Sequence, residues 1–230
     1  MMLLTGLLTM VLAGAGAQSP TPTPTPRPER FDDLVRADFF AGFAGDAARL
    51  QKGMDACEHT LADNPAHPEA LVWHGSGLFF LGGRAFSTGD MATGSRLTAQ
   101  GLGEMDKAVA LAPDKVGVLV PRGAVLITAT RRMPPDSGRP LLESALANYE
   151  HVLALQAPIF ATLGDHPKGE LLFGLAEGYY RLGDMQKARL YFERLATDAP
   201  ASGQTDKARE FLTSGTLAKI EGLGCVGCHK

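Results

Sequence analysis

The sequence predicts an all-α chain. From about Phe31 onward apolar residues recur every three or four positions, Gly and Pro mark the breaks, and strand signals are nearly absent. With 230 residues, 45% of them hydrophobic, the chain is large enough for one well-buried domain. Its formal net charge of −3 and the lack of a strongly basic face give no reason to expect a nucleic-acid partner.

The first seventeen residues carry an apolar run, Leu3 to Leu12, too short to span a bilayer, followed by Ala15-Gly16-Ala17, a small-x-small pattern that a signal peptidase accepts before Gln18. Residues 1–17 are therefore expected to be an export signal, although the run is preceded by no Lys or Arg. Residues 18–30 form a Thr/Pro-rich linker, in which alternate prolines from Pro20 to Pro28 remove amide donors and favour an extended polyproline-type spacer. No cysteine sits at the cleavage point, which gives no support for a lipid-anchored lipoprotein, and no later stretch is long and apolar enough for a membrane span. The expected compartment is the periplasm or the medium outside a bacterial cell.

Residues 31–200 carry a recurring helical template. Its clearest copy runs from Leu171 to Pro200, with Leu172, Leu175, Ala176, Tyr179, Ala188, Phe192 and Pro200 at the key places. This copy resembles the tetratricopeptide repeat, a helical hairpin in which small residues let the two helices approach and larger ones fill the space between hairpins. Gly183-Asp184 closes the first helix and caps the second. A first copy fits at Ala37, Phe40, Ala41, Ala44, Gly53, Cys57 and Pro65 without insertion. Two middle copies, Leu71 to Pro113 and Leu119 to Pro158, fit if the loop between their helices is lengthened, in the latter across Thr130 to Gly138. The expected architecture is an α-solenoid of about four such hairpins, capped by a helix over about Thr205 to Ile220.

In the tetratricopeptide family the first helices line a concave surface that binds a protein partner. Carried over, the resemblance implies that Glu170, Phe173, Glu177, Tyr180 and Arg181 face that groove; a solvated helix face is the other reading of the same residues. Trp73, Phe79, Phe80, Phe39, Phe40 and Phe43 read as hairpin core, and Cys57 as a buried core thiol.

Residues 201–230 comprise the capping helix and a tail, Gly224-Cys225-Val226-Gly227-Cys228-His229-Lys230, which matches the c-type haem attachment motif. The resemblance to cytochromes c is confined to these five residues, Cys225 to His229, and implies haem c. Cys225 and Cys228 would bond its two vinyl groups and His229 would be the proximal iron ligand. A Cys225 to Cys228 disulfide is the alternative, since exported proteins favour it, while zinc would need a fourth ligand. If the capping helix runs parallel to the first helices of the hairpins, its end lies near the loops carrying Arg131, Arg132 and Met133, and Asp184 and Met185. Met133 or Met185 is then the candidate distal ligand, and the arginines are candidates for the propionates. His59, His67 and His166 fall toward the opposite end of the stack.

No phosphate loop, paired-carboxylate site or Ser/His/Asp arrangement points to an enzyme. The expected function is an exported haem-bearing repeat scaffold that transfers or senses electrons with a protein partner, a redox protein among the candidates. The alternative is a haem-free periplasmic adaptor whose tail cysteines form a disulfide.

Overall fold

Gly-Asp pairs set the tight turns of this fold. Gly45, Gly89 and Gly183 adopt positive φ values of 119°, 85° and 83°, which side-chain-bearing residues rarely reach. The aspartates that follow, Asp46, Asp90 and Asp184, each accept a hydrogen bond of 3.0 Å from the backbone amide three residues on, at Arg49, Thr93 and Lys187. Each pair thus ends one helix and caps the next.

The structure, a computed structural model, describes residues 30–220. The expected export signal, all but the last residue of the linker, and the Cys225, Cys228 and His229 motif lie outside the described residues. Among those described the chain is helical, with no strand: α1 (Phe31–Phe43), α2 (Ala47–Asp63), α3 (Pro68–Ser87), α4 (Met91–Leu111), α5 (Val116–Thr130), α6 (Pro135–Gln156), α7 (Asp165–Leu182), α8 (Met185–Asp198) and α9 (Thr205–Ser214). A 3-10 segment, Ala157–Thr162, lies between α6 and α7. Among the described residues no helix is long and apolar enough to cross a membrane.

The helices pack mainly in chain order. Each odd helix pairs with the even helix after it, α1 with α2, α3 with α4, α5 with α6 and α7 with α8, and α9 lies against α8. The odd helices also touch one another in sequence, α1 on α3, α3 on α5 and α5 on α7.

Two expectations need correction. The extra residues of the second and third hairpins lengthen helices rather than loops. The α3–α4 turn spans only residues 88–90, because Gly89-Asp90 is the same turn as in the outer hairpins, and the connection from α5 to α6 is residues 131–134. There Pro135 starts α6 at a position where a missing amide costs nothing. The capping helix is also shorter than expected, because Gly215 at φ 73° stops it after Ser214.

Glycines hold α3 and α4 together along their added length. A Cβ on Gly101 would stand 2.5 Å from the Gly75 carbonyl oxygen and 2.7 Å from the Phe79 amide nitrogen. One on Gly82 would stand 2.9 Å from the Thr98 nitrogen and 3.0 Å from the Gly94 oxygen. Gly75 and Gly82, like Gly94 and Gly101, are seven residues apart, so two turns of each helix present backbone to backbone. In the third hairpin Gly123 makes room for the buried Tyr149 ring.

The core runs the length of the stack. Phe39 and Trp73 meet with ring centres 5.1 Å apart, Phe40 and Trp73 at 6.1 Å, and Phe43 and Phe80 at 5.0 Å, while Phe79 is buried beside them. At the other end Phe192 and Phe211 approach to 4.3 Å. Cys57 is a fully buried free thiol, and its burial pushes its pKa far above the ordinary thiol value.

These contacts give opposite expectations for two glycines of α4. Gly101→Ala should destabilise the fold by about 1–3 kcal/mol, since the methyl meets backbone that cannot move aside. Gly103→Ala, with open space around it, should stabilise by roughly 0.5–1 kcal/mol. Urea denaturation of both variants measures the two signs.

Candidate functional site

The C-terminal ends of α5, α7 and α9 gather at one end of the stack. Gln204 meets Glu170, Lys207 lies over Phe173, and Phe211 packs on Tyr180, so contacts advance in the same direction along α9 and α7. The two helices are therefore parallel, and α9 ends on the side of the turn at Gly183-Asp184. Arg131 and Thr130, at the end of α5, reach Glu177 and Arg181 of α7, which puts the connection 131–134 at that same end. Beyond Gly215, Leu217 and Ile220 pack on the core.

A buried charge cluster knits this end. Glu177, 1% exposed, accepts from Arg131 Nε at 2.7 Å and Nη2 at 2.6 Å, a two-pronged pair. Arg181 lies 3.6 Å from the same carboxylate and donates to the Ile127 carbonyl and to Thr130 Oγ1, both at 2.9 Å. Two guanidiniums thus surround one carboxylate.

The five residues expected along a partner groove take up different positions. Glu170, Phe173 and Glu177 are at most 3% exposed. Glu170 accepts from Gln204 Nε2 at 3.0 Å, and Phe173 packs on Phe192 with Lys207 Nζ 5.2 Å from its ring centre. These three side chains offer no open surface, because α9 and the end of α5 close over them. Tyr180 and Arg181 stay half-buried, with the Tyr180 ring edge-on to Phe211 at 5.6 Å.

The candidate haem ligands diverge in exposure. Met185, at the start of α8, is 45% exposed, whereas Met133 is half-buried in the α5–α6 connection. Arg131 is committed to Glu177 and Arg132 is exposed. Cys225, Cys228 and His229 lie outside the described residues. His67 caps α3, its Nδ1 accepting from the Ala70 amide at 3.1 Å, and His59 and His166 are exposed. Among the described residues no group of three or more His, Cys, Asp or Glu is arranged to hold a metal ion.

Three polar groupings carry no signal in the sequence. His74 is buried between α2 and α4, its Nδ1 2.6 Å from Glu104 and its Nε2 3.5 Å from Glu58. Burial opposes its charged form, but the hydrogen bond and charge of Glu104 and the charge of Glu58 outweigh it and raise its pKa above the usual histidine value. Near Met185, the Glu150 carboxylate accepts from Tyr179 at 2.5 Å and Tyr191 at 3.1 Å, and Lys187 donates to the Tyr179 hydroxyl at 3.1 Å. Burial, with Glu150 beside it, pushes the Tyr191 hydroxyl up to about 12. The third grouping surrounds Lys168. Their cross-helix partners lie 8 to 41 positions apart, so of these contacts and the Glu177 cluster only the i,i+4 pairs Glu177 with Arg181 and Arg194 with Asp198 are visible locally.

No protein-family model, no curated protein and no solved structure matches the chain.

Two outcomes follow from the buried charges. Glu177→Gln should cost about 3–5 kcal/mol by leaving buried guanidiniums uncompensated, and combined with Arg131→Met it should cost less than the sum of the single changes. A double-mutant cycle in urea reads both. Because His74 has a raised pKa in the folded chain, its contribution to stability is complete below the unfolded value of about 6.5 and is lost as pH rises through the folded one. The stability difference between wild type and His74→Gln should therefore shrink as pH rises, and Glu104→Gln should flatten that trend; thermal melts between pH 5 and 9 follow it, on the order of 1 kcal/mol per pKa unit.

Proposed function

We propose that the chain is an exported tetratricopeptide-type scaffold that carries one covalently attached c-type haem, exchanges or senses electrons with a protein partner, and is not an enzyme. The observation that carries this reading is the run Cys225-Val226-Gly227-Cys228-His229. Its donor set fits the group: each thiol adds its S–H across one vinyl group, and the adjacent imidazole offers a nitrogen to the iron. The bound group would supply a one-electron couple. The apolar run and Ala15-Gly16-Ala17 at the other end of the sequence support export to the compartment where such attachment occurs.

The helix packing supports the repeat reading. Hairpins follow one another in chain order, odd helices touch the next odd helix, and the template positions Leu172, Leu175, Ala176, Ala188 and Phe192 are all fully buried. The parallel course of α9 favours the loop end of the stack as the place where the tail works. Cys225 follows Ile220 by five residues, an extended reach of at most about 18 Å. Of the two candidate distal ligands, Met185 is the more accessible, and Arg132 rather than Arg131 is the guanidinium available to a propionate. A partner would dock on the exposed helix surfaces, since Glu170, Phe173 and Glu177 are covered.

The second reading, a haem-free periplasmic adaptor, rests on the same two cysteines, whose spacing in an oxidising compartment also suits a disulfide.

Expression in a host with a c-type maturation system separates the two. The proposal expects a Soret band that survives acid-acetone extraction and disappears in a Cys225→Ala/Cys228→Ala variant. Colourless protein with the mass of the apo chain leaves the adaptor. In coloured protein, Met185→Ala should remove the long-wavelength band of Met-ligated ferric haem; a band unchanged by that substitution shifts the assignment to Met133.

A further inference from the structure

A cleft of about 520 Å³ opens at the end of the stack opposite the C-terminal end of α9. It exists because the connection from α6 to α7, residues 157–164, is twice as long as those at 64–67 and 112–115, and its 3-10 segment stands out as a wall. Leu153, Ala157, Phe160 and Ala161 make that side apolar. Lys168 of α7 and Arg194 and Asp198 of α8 make the other.

Lys168 is the unusual member. It is only 9% exposed, and among the described residues no carboxylate pairs with its ammonium. Nζ is held by two long hydrogen bonds to carbonyl oxygens, 3.4 Å to Ala161 and 3.3 Å to Asp198, which leaves one of its three donors without a partner of its own. Arg194 Nε donates to Asp198 at 3.2 Å. The two cations lie 5.8 and 5.2 Å from the centre of the Phe160 ring. Two positive charges against one negative leave the lining with one unit of positive charge. A buried ammonium without a counter-charge is costly unless an anion completes it. The volume is also in the range of small-molecule sites.

We propose that this cleft binds a small organic acid, a single carboxylate on an apolar body about the size of an aromatic ring. The carboxylate takes the third donor of Lys168 and the free edge of the Arg194 guanidinium, and the apolar body lies against Leu153, Ala157 and Phe160. None of the lining residues belongs to the Cys225–His229 run, so the proposal does not rest on a haem.

Benzoate is a suitable probe, with benzamide as its neutral isostere, titrated into the full chain by calorimetry or saturation-transfer NMR. Benzoate should bind, benzamide should bind at least about tenfold more weakly, and Lys168→Met should lower benzoate affinity by about tenfold. Ala157→Phe, a change at an exposed position that fills the cleft and leaves both cations in place, should abolish binding while circular dichroism stays unchanged. It answers the question even if Lys168→Met fails to fold. No benzoate binding, equal binding of benzamide, or full affinity in the Ala157→Phe or the folded Lys168→Met protein would overturn the proposal.

Discussion

The fold depends on how closely two helices can approach within one hairpin. Where α3 crosses α4, backbone touches backbone at Gly75 and Gly101 and again at Gly82, and a single methyl group would have nowhere to go. Close approach maximises dispersion contacts between the helices and leaves the larger side chains to fill the spaces between hairpins. Small residues on the inner faces and rings such as Tyr149, Phe192 and Phe39 between successive hairpins follow from that one constraint.

Stacking hairpins in chain order gives the molecule two unlike ends. Turns within hairpins gather at one end, where Gly-Asp pairs keep them short and where the ion pair of Arg131 with Glu177 ties the third hairpin to the fourth. At the other end the connections between hairpins have four residues at 64–67 and 112–115 but eight at 157–164, and that long one, before α7, forms a wall beside Lys168.

Much of this was legible from residues alone. The hairpin template placed Leu172, Leu175, Ala176, Ala188 and Phe192 in the core, and it placed Trp73 and Cys57 there as well. The middle hairpins lack the lengthened loops their template spacing implies: Gly89-Asp90 carries the same turn chemistry as Gly183-Asp184, and the glycines seven residues apart carry the signature of two long helices in contact. Both signals are local. The closure of α9 over Glu170 and Phe173 is not, because it depends on how the capping helix lies across the last hairpin.

The sequence by itself determined the helical class, the hairpin periodicity and the turn residues, because each is written within a few helical turns of chain. Only the tertiary structure decided which side chains are exposed and which charges meet. Arg131 and Glu177 are 46 residues apart, and Lys168 reaches a carbonyl 30 residues away. Such partners are chosen by the packing of whole helices, and no local pattern encodes a contact whose two halves come together only after the stack has formed.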